Sequence, residues 1–477
     1  MSESLKKIPI KVEGAGQDNE TVSLYESHQK IYVRAAKGMF NNLRILFVLG
    51  TQLVYLGLPW LQWNGRQAVL FDLADRKFYL FGLTVWPQDF VYLAALLMCC
   101  AFGLFTWTTI AGRLWCGYSC PQTVYTEIML WIEQWVEGDR NKRIKLDAAP
   151  MSLRKLRLKT AKHFIMIAFS LWTGLTLVGY FTPMRSLVAA LPTFGYGPWE
   201  TFWMFFYGGF TYLFAGFMRE QVCKYMCPYA RFQSVMFDAD TLIISYDEAR
   251  GEPRGARKKG SDPKEQGLGS CINCSICVQV CPVGIDIRNG LQYECIGCAA
   301  CIDACDEVMD KMGYPRGLIR YTTENALEGK YPEKEIASRL KRPRVVLYIL
   351  VLSAVIIAAV TSLAMRKPFK VDILRDRASL VRETDEGWLE NTYIIKIINT
   401  TERPQQFRIT AEGLPDIKVK TETPLVAIPA AATDSATVHV EADPQYATKG
   451  SHPIRFIVES AGDPSLRVEE KSSFIGE

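Results

Sequence analysis

The chain has 477 residues, a formal net charge of +5 and 49% hydrophobic residues. That length accommodates two or three domains, and so mild a positive charge, without a basic helix or RNA motif, argues against a nucleic-acid partner. Ten of the eleven Trp precede residue 204 and all fourteen Cys lie between residues 99 and 305. An aromatic-belted membrane section therefore comes first, and the C-terminal region is held by packing, not by disulfides.

Residues 1–43 are polar and carry Lys6, Lys7, Lys11, Lys30, Arg34 and Lys37, with no early apolar run of a cleaved signal. They read as a cytoplasmic tail. Apolar stretches follow at 45–63, 90–110, 164–181, 202–217 and 345–363. Each is read as a membrane span, and five spans put the termini on opposite sides. Seven Lys/Arg precede the first span and nine lie in 111–159, against three in 64–87 and one, Arg185, in 183–198. The positive-inside rule then puts the tail, the 111–159 segment and the 220–343 insert in the cytoplasm. The C-terminal domain falls in the periplasm. The expected layout is a tail at 1–43, spans one to four at 44–219, a cytoplasmic insert at 220–343, span five at 344–365 and a periplasmic domain at 366–477.

Two motifs share the form C-x-Y-x-C-P: Cys116 to Pro121 after span two, and Cys223 to Pro228 after span four. An Arg precedes each, Arg113 and Arg219, and the repeat makes spans one–two and three–four related halves. Thiols at i and i+4 share a helix face. Two such pairs together offer four soft ligands, suited to Cu(I) or a further cluster. A redox-active thiol pair and plain helix-end structure are the other readings. Cys99 and Cys100 lack Pro or Tyr companions and read as packing residues. Glu127, Glu133 and Glu137 follow the first motif at helical spacing, as on an amphipathic helix lying in the membrane interface. Only one of the four His, His163, lies near a span, so no internal bis-His haem is expected.

Cys271, Cys274, Cys277 and Cys281 follow C-x2-C-x2-C-x3-C-P, and Cys295, Cys298, Cys301 and Cys305 repeat the spacing with Asp306 in place of Pro. Eight thiols at these intervals are the ligand set of a two-cluster bacterial ferredoxin, in which the fourth Cys of each run serves the other cluster. Cys271, Cys274, Cys277 and Cys305 are expected to hold one [4Fe–4S] cluster, and Cys295, Cys298, Cys301 and Cys281 the second. Pro282 turns the chain away, and Asp306 leaves the matching turn open. Residues 250–268, rich in Gly, Lys, Arg and Pro, read as a flexible approach loop. The ferredoxin-like core is expected over about 269–312.

Beyond residue 368, TYIIKIINT, QQFRITAEG, DIKVKTE, SATVHVEA, PIRFIVES and LRVEEKSSF read as short strands, several alternating apolar with polar residues, with turn residues between them. An immunoglobulin-like β-sandwich follows, read as a passive interaction module. His439 and His452 are too isolated to make a site.

WCGYSCPQ, CKYMCPYARFQ, the eight-cysteine run and this C-terminal tail together resemble the cytochrome c oxidase accessory family of FixG, RdxA and CcoG type, over nearly the whole chain. The resemblance implies a role in maturing a cbb-type haem–copper oxidase, with Cu(II) reduced to Cu(I) for its copper site. Cys116, Cys120, Cys223 and Cys227 would then hold the copper. Implied partners are membrane lipid, oxidase assembly factors, a copper exporter or chaperone and a cytoplasmic electron donor, with a homodimer as one open assembly. Two other readings stand beside this one: electron exchange with the quinone pool, and a scaffold for oxidase assembly.

Overall fold

The computed structural model describes residues 30–259, 261–262, 267–376 and 381–476. Most of the expected tail, and residues 260 and 263–266 of the expected approach loop, lie outside the described residues.

Among the described residues, four helices are long and apolar enough to cross a membrane, at Met39–Trp60, Pro87–Ala111, Leu153–Val178 and Pro343–Ala364. Their α-helical parts include α1 (Met39–Gly57) and α2 (Phe90–Ala111). Short α3 (Leu114–Tyr118), α4 (Pro121–Glu137) and α5 (Arg140–Ala148) follow, then the long α6 (Leu153–Val178) and a short α7 (Met184–Ala190). Large apolar side chains such as Leu53, Leu93, Leu97 and Ile357 are exposed on these helices, a surface that lipid covers.

The stretch expected as span four is built differently. α8 (Pro198–Thr211) is only 14 residues long, and Tyr212–Met218 continues it with the wider i→i+5 turn. The Gln122 side chain enters this turn and donates to the Phe214 and Arg219 carbonyls at 2.9 and 3.2 Å, which holds the widened backbone in place. α8 still runs close along α6. A Cβ on Gly174 would lie 2.2 Å from the Met204 carbonyl oxygen, and one on Gly208 would lie 2.9 Å from that of Ser170. Small residues let these two backbones touch.

α2 and the Pro343–Ala364 helix are antiparallel: Tyr92 donates to the Ser362 carbonyl at one end, and Arg342 to that of Thr109 at the other. The cysteine-rich region sits at the Thr109 end. The β-rich C-terminal region sits at the opposite end, where buried Asp89 accepts from Arg366 at 2.6 Å and from Lys370. The 62–85 segment, expected only as a loop, forms short antiparallel strands, among them Val69–Asp72, Lys77–Leu80 and Leu83–Val85. It reaches the C-terminal region through Arg66, which donates to Glu402 at 2.6 Å.

α4 corrects the interfacial-helix expectation. Glu127, Glu133 and Glu137 are all buried. Glu133 is met by Arg143 at 2.9 Å, Lys162 at 3.3 Å and Arg219 at 2.6 Å. Glu137 is met by Lys159 and Lys162, and Glu127 by Arg44. The carboxylates lie on the packed face because cations from α1, α5, α6 and the second motif converge on it. Burial raises the Glu133 pKa, but the Arg219 hydrogen bond and the nearby Arg219, Lys162 and Arg143 charges outweigh that and bring it to about 2. Removing the carboxylate leaves buried Arg143 and half-buried Arg219 without their carboxylate, while Lys162 keeps Glu137. Glu133→Ala is therefore expected to cost about 3–5 kcal/mol and to loosen the Arg219 loop. Thermal unfolding in detergent, followed by cysteine accessibility, checks it.

The cysteine-rich region is closed by a strand pair outside the expected core. Ile243–Tyr246 and Ile319–Thr322 pair antiparallel. Ile244, Tyr246 and Ile319 pack there with Cys271, Cys277, Met309 and Leu318. After Cys281 the chain turns at Pro282, whereas after Cys305 the Ala300–Met312 helix runs on. Asp306 keeps its N–H and has no ring to break the helix, and its carboxylate accepts from the Gly317 amide at 2.9 Å.

All six strands expected beyond residue 368 are present. Lys418–Thr421, Thr433–Ala442, Leu389–Asn399 and Phe369–Arg375 lie in one antiparallel sheet. Val426–Ile428, Gln405–Glu412, Gly450–Ser460 and Asp463–Gly476 form another. Tyr393, Ile395 and Ile397 of the first sheet share a core with Phe407, Phe456 and Phe474 of the second. The period-2 alternation of a strand accounts for this segregation.

Candidate metal centres

The two cysteine runs fold as the same loop twice. Asn273 and Ser275 have positive φ, and so do Gly297 and Ala299 at the matching places of the second run. These left-handed turns curl each C-x2-C-x2-C around a cavity. One cavity of about 370 Å³ is lined by Cys271, Cys274, Cys277 and Cys305, with Ile276, Val308 and Leu318. A second, of about 350 Å³, is lined by Cys281, Cys295, Cys298 and Cys301, with Val283, Ile285 and Ile296. Each run thus sends its last cysteine to the other run's cavity. Cys277 lines both cavities, so the two are neighbours. Cys274 is exposed, while Cys271, Cys277 and Cys298 are buried, so the first cavity is the outward one.

Burial governs the thiols. It pushes Cys277 and Cys281 up to about 11, and Cys295 and Cys305 up to about 12, with Cys301 well above its ordinary value. Thiols held this way stay protonated at neutral pH unless a metal takes the proton's place, so metal loading releases protons. Four convergent thiols in an apolar pocket are a donor set that fits iron–sulfur chemistry. Among the described residues, no three His, Cys, Asp or Glu side chains are gathered tightly enough for one metal ion. A cluster, whose thiolates meet different irons, tolerates that wider spacing.

The C-x3-C-P motifs meet beside the second cavity. Their repeat is backbone-deep. Gly112 has φ 55° and ψ −124°, and Arg219 has φ 46° and ψ −110°. Each stands four residues before the first Cys and eight before the second. Cys120 and Cys227 each donate their amide to the carbonyl five residues back, at 3.1 and 2.8 Å. Each then starts a helix with Pro at its first position: α4, and α9 (Pro228–Met236). The structural match to Arg219 is therefore Gly112, not the Arg113 that the sequence pairs with it. Arg113 instead donates to the Tyr293 carbonyl.

The halves also hold each other. Gln122, from the first motif, satisfies the second motif's turn. Gln233, on α9, accepts from the Cys116 thiol at 3.2 Å and donates to Thr108 at 3.2 Å. Burial pushes the Cys223 thiol up to about 12, with Cys120 raising it, Arg113 lowering it, and Cys116 and Cys227 raising it further. The four thiols thus lie within one another's electrostatic reach. A single ion there would draw the two loops together. Cys99 is half-buried and Cys100 exposed on α2, so Cys100 is not a packing residue of this chain. His163 shares a hydrogen bond of 2.8 Å with Tyr212.

Gly117 sets the approach of the two regions. A Cβ there would lie 2.8 Å from the Cys298 Cα, and Cys116 packs against the core that contains Cys281, Cys295, Cys298 and Cys301. The three thiol groups are thus neighbours in order, from the cavity of exposed Cys274 through the second cavity to Cys116. The amide N–H groups of Phe40 and Asn41, at the start of α1, donate to Asp303 at 3.2 and 2.7 Å, pinning the Ala300–Met312 helix to the membrane part. Gly117, Gln122, Gln233 and Asp303 all escaped the sequence reading. Only the glycine inside C-G-Y-S-C carried a signal, a residue without a side chain where two backbones meet. Gly117→Ala is expected to cost about 1–3 kcal/mol by overpacking. It is also expected to slow electron transfer between the regions with every thiol in place, and rapid-mixing spectroscopy of the pre-reduced protein checks this.

A helical membrane section carrying buried, crossed tetrathiol cavities defines a membrane-bound ferredoxin-type iron–sulfur protein. Family models agree. A 4Fe-4S binding domain matches residues 93–143, a 4Fe-4S dicluster domain matches 218–324, and the IG-like fold at the C-terminal of FixG matches 359–477. The chain is 37% identical to the nitrogen fixation protein FixG of Rhizobium meliloti, over 83% of this chain and 83% of that protein. It is 39% identical to protein RdxB of Cereibacter sphaeroides, over 89% and 91%, and 36% identical to protein RdxA of the same organism, over 92% and 96%. The chain belongs to the FixG/RdxA family.

Proposed function

We propose that this protein is a membrane-bound iron–sulfur oxidoreductase that reduces Cu(II) to Cu(I) for assembly of a cbb-type cytochrome oxidase. The observation that carries the reading is the contact at Gly117, which sets Cys116, with Cys120, Cys223 and Cys227 in electrostatic reach of one another, against the inner of two tetrathiol cavities. Cys271, Cys274, Cys277 and Cys305 would hold one [4Fe–4S] cluster, and Cys281, Cys295, Cys298 and Cys301 the other. When bound, such clusters supply one-electron redox chemistry. Cys116, Cys120, Cys223 and Cys227 receive Cu(II) as substrate, and each ion takes one electron to become Cu(I), the form that thiolates favour. The electron comes from a reductant on the ferredoxin side and enters near exposed Cys274. Gln233 orients Cys116, and buried Arg113 stabilises negative charge among the thiols.

The packing of α8 along α6 supports a fifth span at about 202–217. With it, the layout we propose is a tail at 1–43, four spans at 44–219, an insert at 220–343, a last span at 344–365 and a C-terminal domain at 366–477. The ferredoxin region lies in the bacterial cytoplasm and the β-rich region, an Ig-like sandwich, in the periplasm. Cu(I) would pass to an exporter or chaperone. The experiment is a steady-state anaerobic assay with a chemical reductant, Cu(II) and a Cu(I)-specific chromophore. Sustained Cu(I) formation supports the reading. Clusters reduced by a quinol analogue, with no Cu(I) formed, would replace it with quinone exchange.

A further inference from the structure

We propose that the cavity between the N-terminal arm, α1 and α4 is a binding site for a phosphate group, carried by an anionic phospholipid or by a soluble phosphate. The cavity measures about 640 Å³ and is lined by Arg34, Asn41, Arg44, Glu127, Trp131 and Arg143, among others. Arg34, Arg44 and Arg143 line it with one carboxylate, Glu127, which already pairs with Arg44, and Glu307 lies within electrostatic reach of Arg34. Arg143 touches Glu133 at 2.9 Å, but Glu133 is shared with Arg219 and Lys162, so it does not neutralise Arg143. Positive charge is therefore in excess.

The site is built rather than superficial. Arg44 and Arg143 are 6% and 4% exposed, and the Nε of each is buried with no partner among the described residues. A buried guanidinium N–H without an acceptor is costly and calls for one. A guanidinium fork matches phosphate geometry. The cavity opens beside the first turns of α1, where an apolar helix enters the membrane, and the Trp131 indole lines it while donating to Glu127 at 3.0 Å. Basic pockets between membrane helices at this depth bind lipid phosphates. The arm is fixed over the cavity by the Arg34 amide, which donates to the Gln279 carbonyl at 2.8 Å.

The cavity also touches Val280 and Ala300, neighbours in sequence of Cys281 and Cys301. An anion held there would disfavour reduction of a cluster held by Cys281, Cys295, Cys298 and Cys301, because nearby charge sets cluster potential. The site thus ties the membrane surface to the redox path.

The test uses the full chain in nanodiscs of phosphatidylcholine, with or without phosphatidylglycerol. Retained lipid is read by native mass spectrometry, and inorganic phosphate is titrated into the phosphatidylcholine discs by phosphorus NMR. Preferential retention of phosphatidylglycerol identifies a lipid head group. Saturable phosphate binding without that preference identifies a soluble source. Either signal is expected to weaken about tenfold in Arg34→Gln, the loss of one charge-assisted contact. Arg34 is exposed, so this change spares the fold, and Arg143→Lys is expected to weaken binding while keeping the charge. Equal retention of both lipids with no saturable phosphate binding overturns the proposal. Neither readout uses copper or turnover, so its failure is separate from failure of the reductase reading.

Discussion

Replacing Cys116, Cys120, Cys223 and Cys227 together by Ala is expected to reduce Cu(I) formation to the background rate while leaving the iron content and cluster spectrum intact. The quartet and the cluster cavities share no cysteine, so the two effects separate cleanly. Each pair alone is also expected to fail, because the thiols come from two pseudo-equivalent loops that Gln122 and Gln233 tie together. The measurement is the anaerobic chromophore assay beside iron analysis and electron paramagnetic resonance. Retained Cu(I) formation in the fourfold variant would move copper to another site.

The second large effect follows from the crossing of the two runs. Cys305→Ala is expected to lose roughly half the iron, from the cavity of Cys271, Cys274 and Cys277, although Cys305 lies in the other run. Cys281→Ala is expected to lose the opposite half. Paramagnetic resonance of each variant should show one remaining cluster, and the two remaining signals should differ. Cys305 sits in a cavity with exposed Cys274, whereas Cys281 lies among buried Ile285, Ile296 and Val283, and solvent exposure sets cluster potential. A Cys305→Ala spectrum matching that of Cys298→Ala rather than that of Cys274→Ala would contradict the crossed assignment.

The eight-cysteine run was legible because its spacing encodes reach along the chain, and the six C-terminal strands because their alternation encodes which face is buried. The C-x3-C-P repeat was legible as a motif but not in register. The residue matching Arg219 is Gly112, and only the shared left-handed backbone reveals it. The carboxylates of α4 misled because helical spacing cannot say which face is wet. Their cations come from Arg44, Arg143, Lys162 and Arg219, scattered over 175 residues of sequence. The 202–217 stretch read as a short, aromatic span, yet a side chain from α4 enters its widened last turns. The strand pair closing the ferredoxin region joins Ile243–Tyr246 to Ile319–Thr322, too far apart for a local pattern to announce. The order of the three thiol groups was beyond the sequence as well. It rests on Cys277 lining both cavities and on Gly117 meeting Cys298.

The most direct measurement is a single turnover. The purified protein is reduced anaerobically, freed of reductant and mixed with Cu(II) and a Cu(I)-specific chromophore, while cluster absorbance is followed. The account predicts one Cu(I) for each electron lost from the clusters, with both processes slowed together in Gly117→Ala and stopped in the fourfold cysteine variant. Cluster reoxidation without Cu(I), or Cu(I) formation at an unchanged rate in that variant, would contradict it.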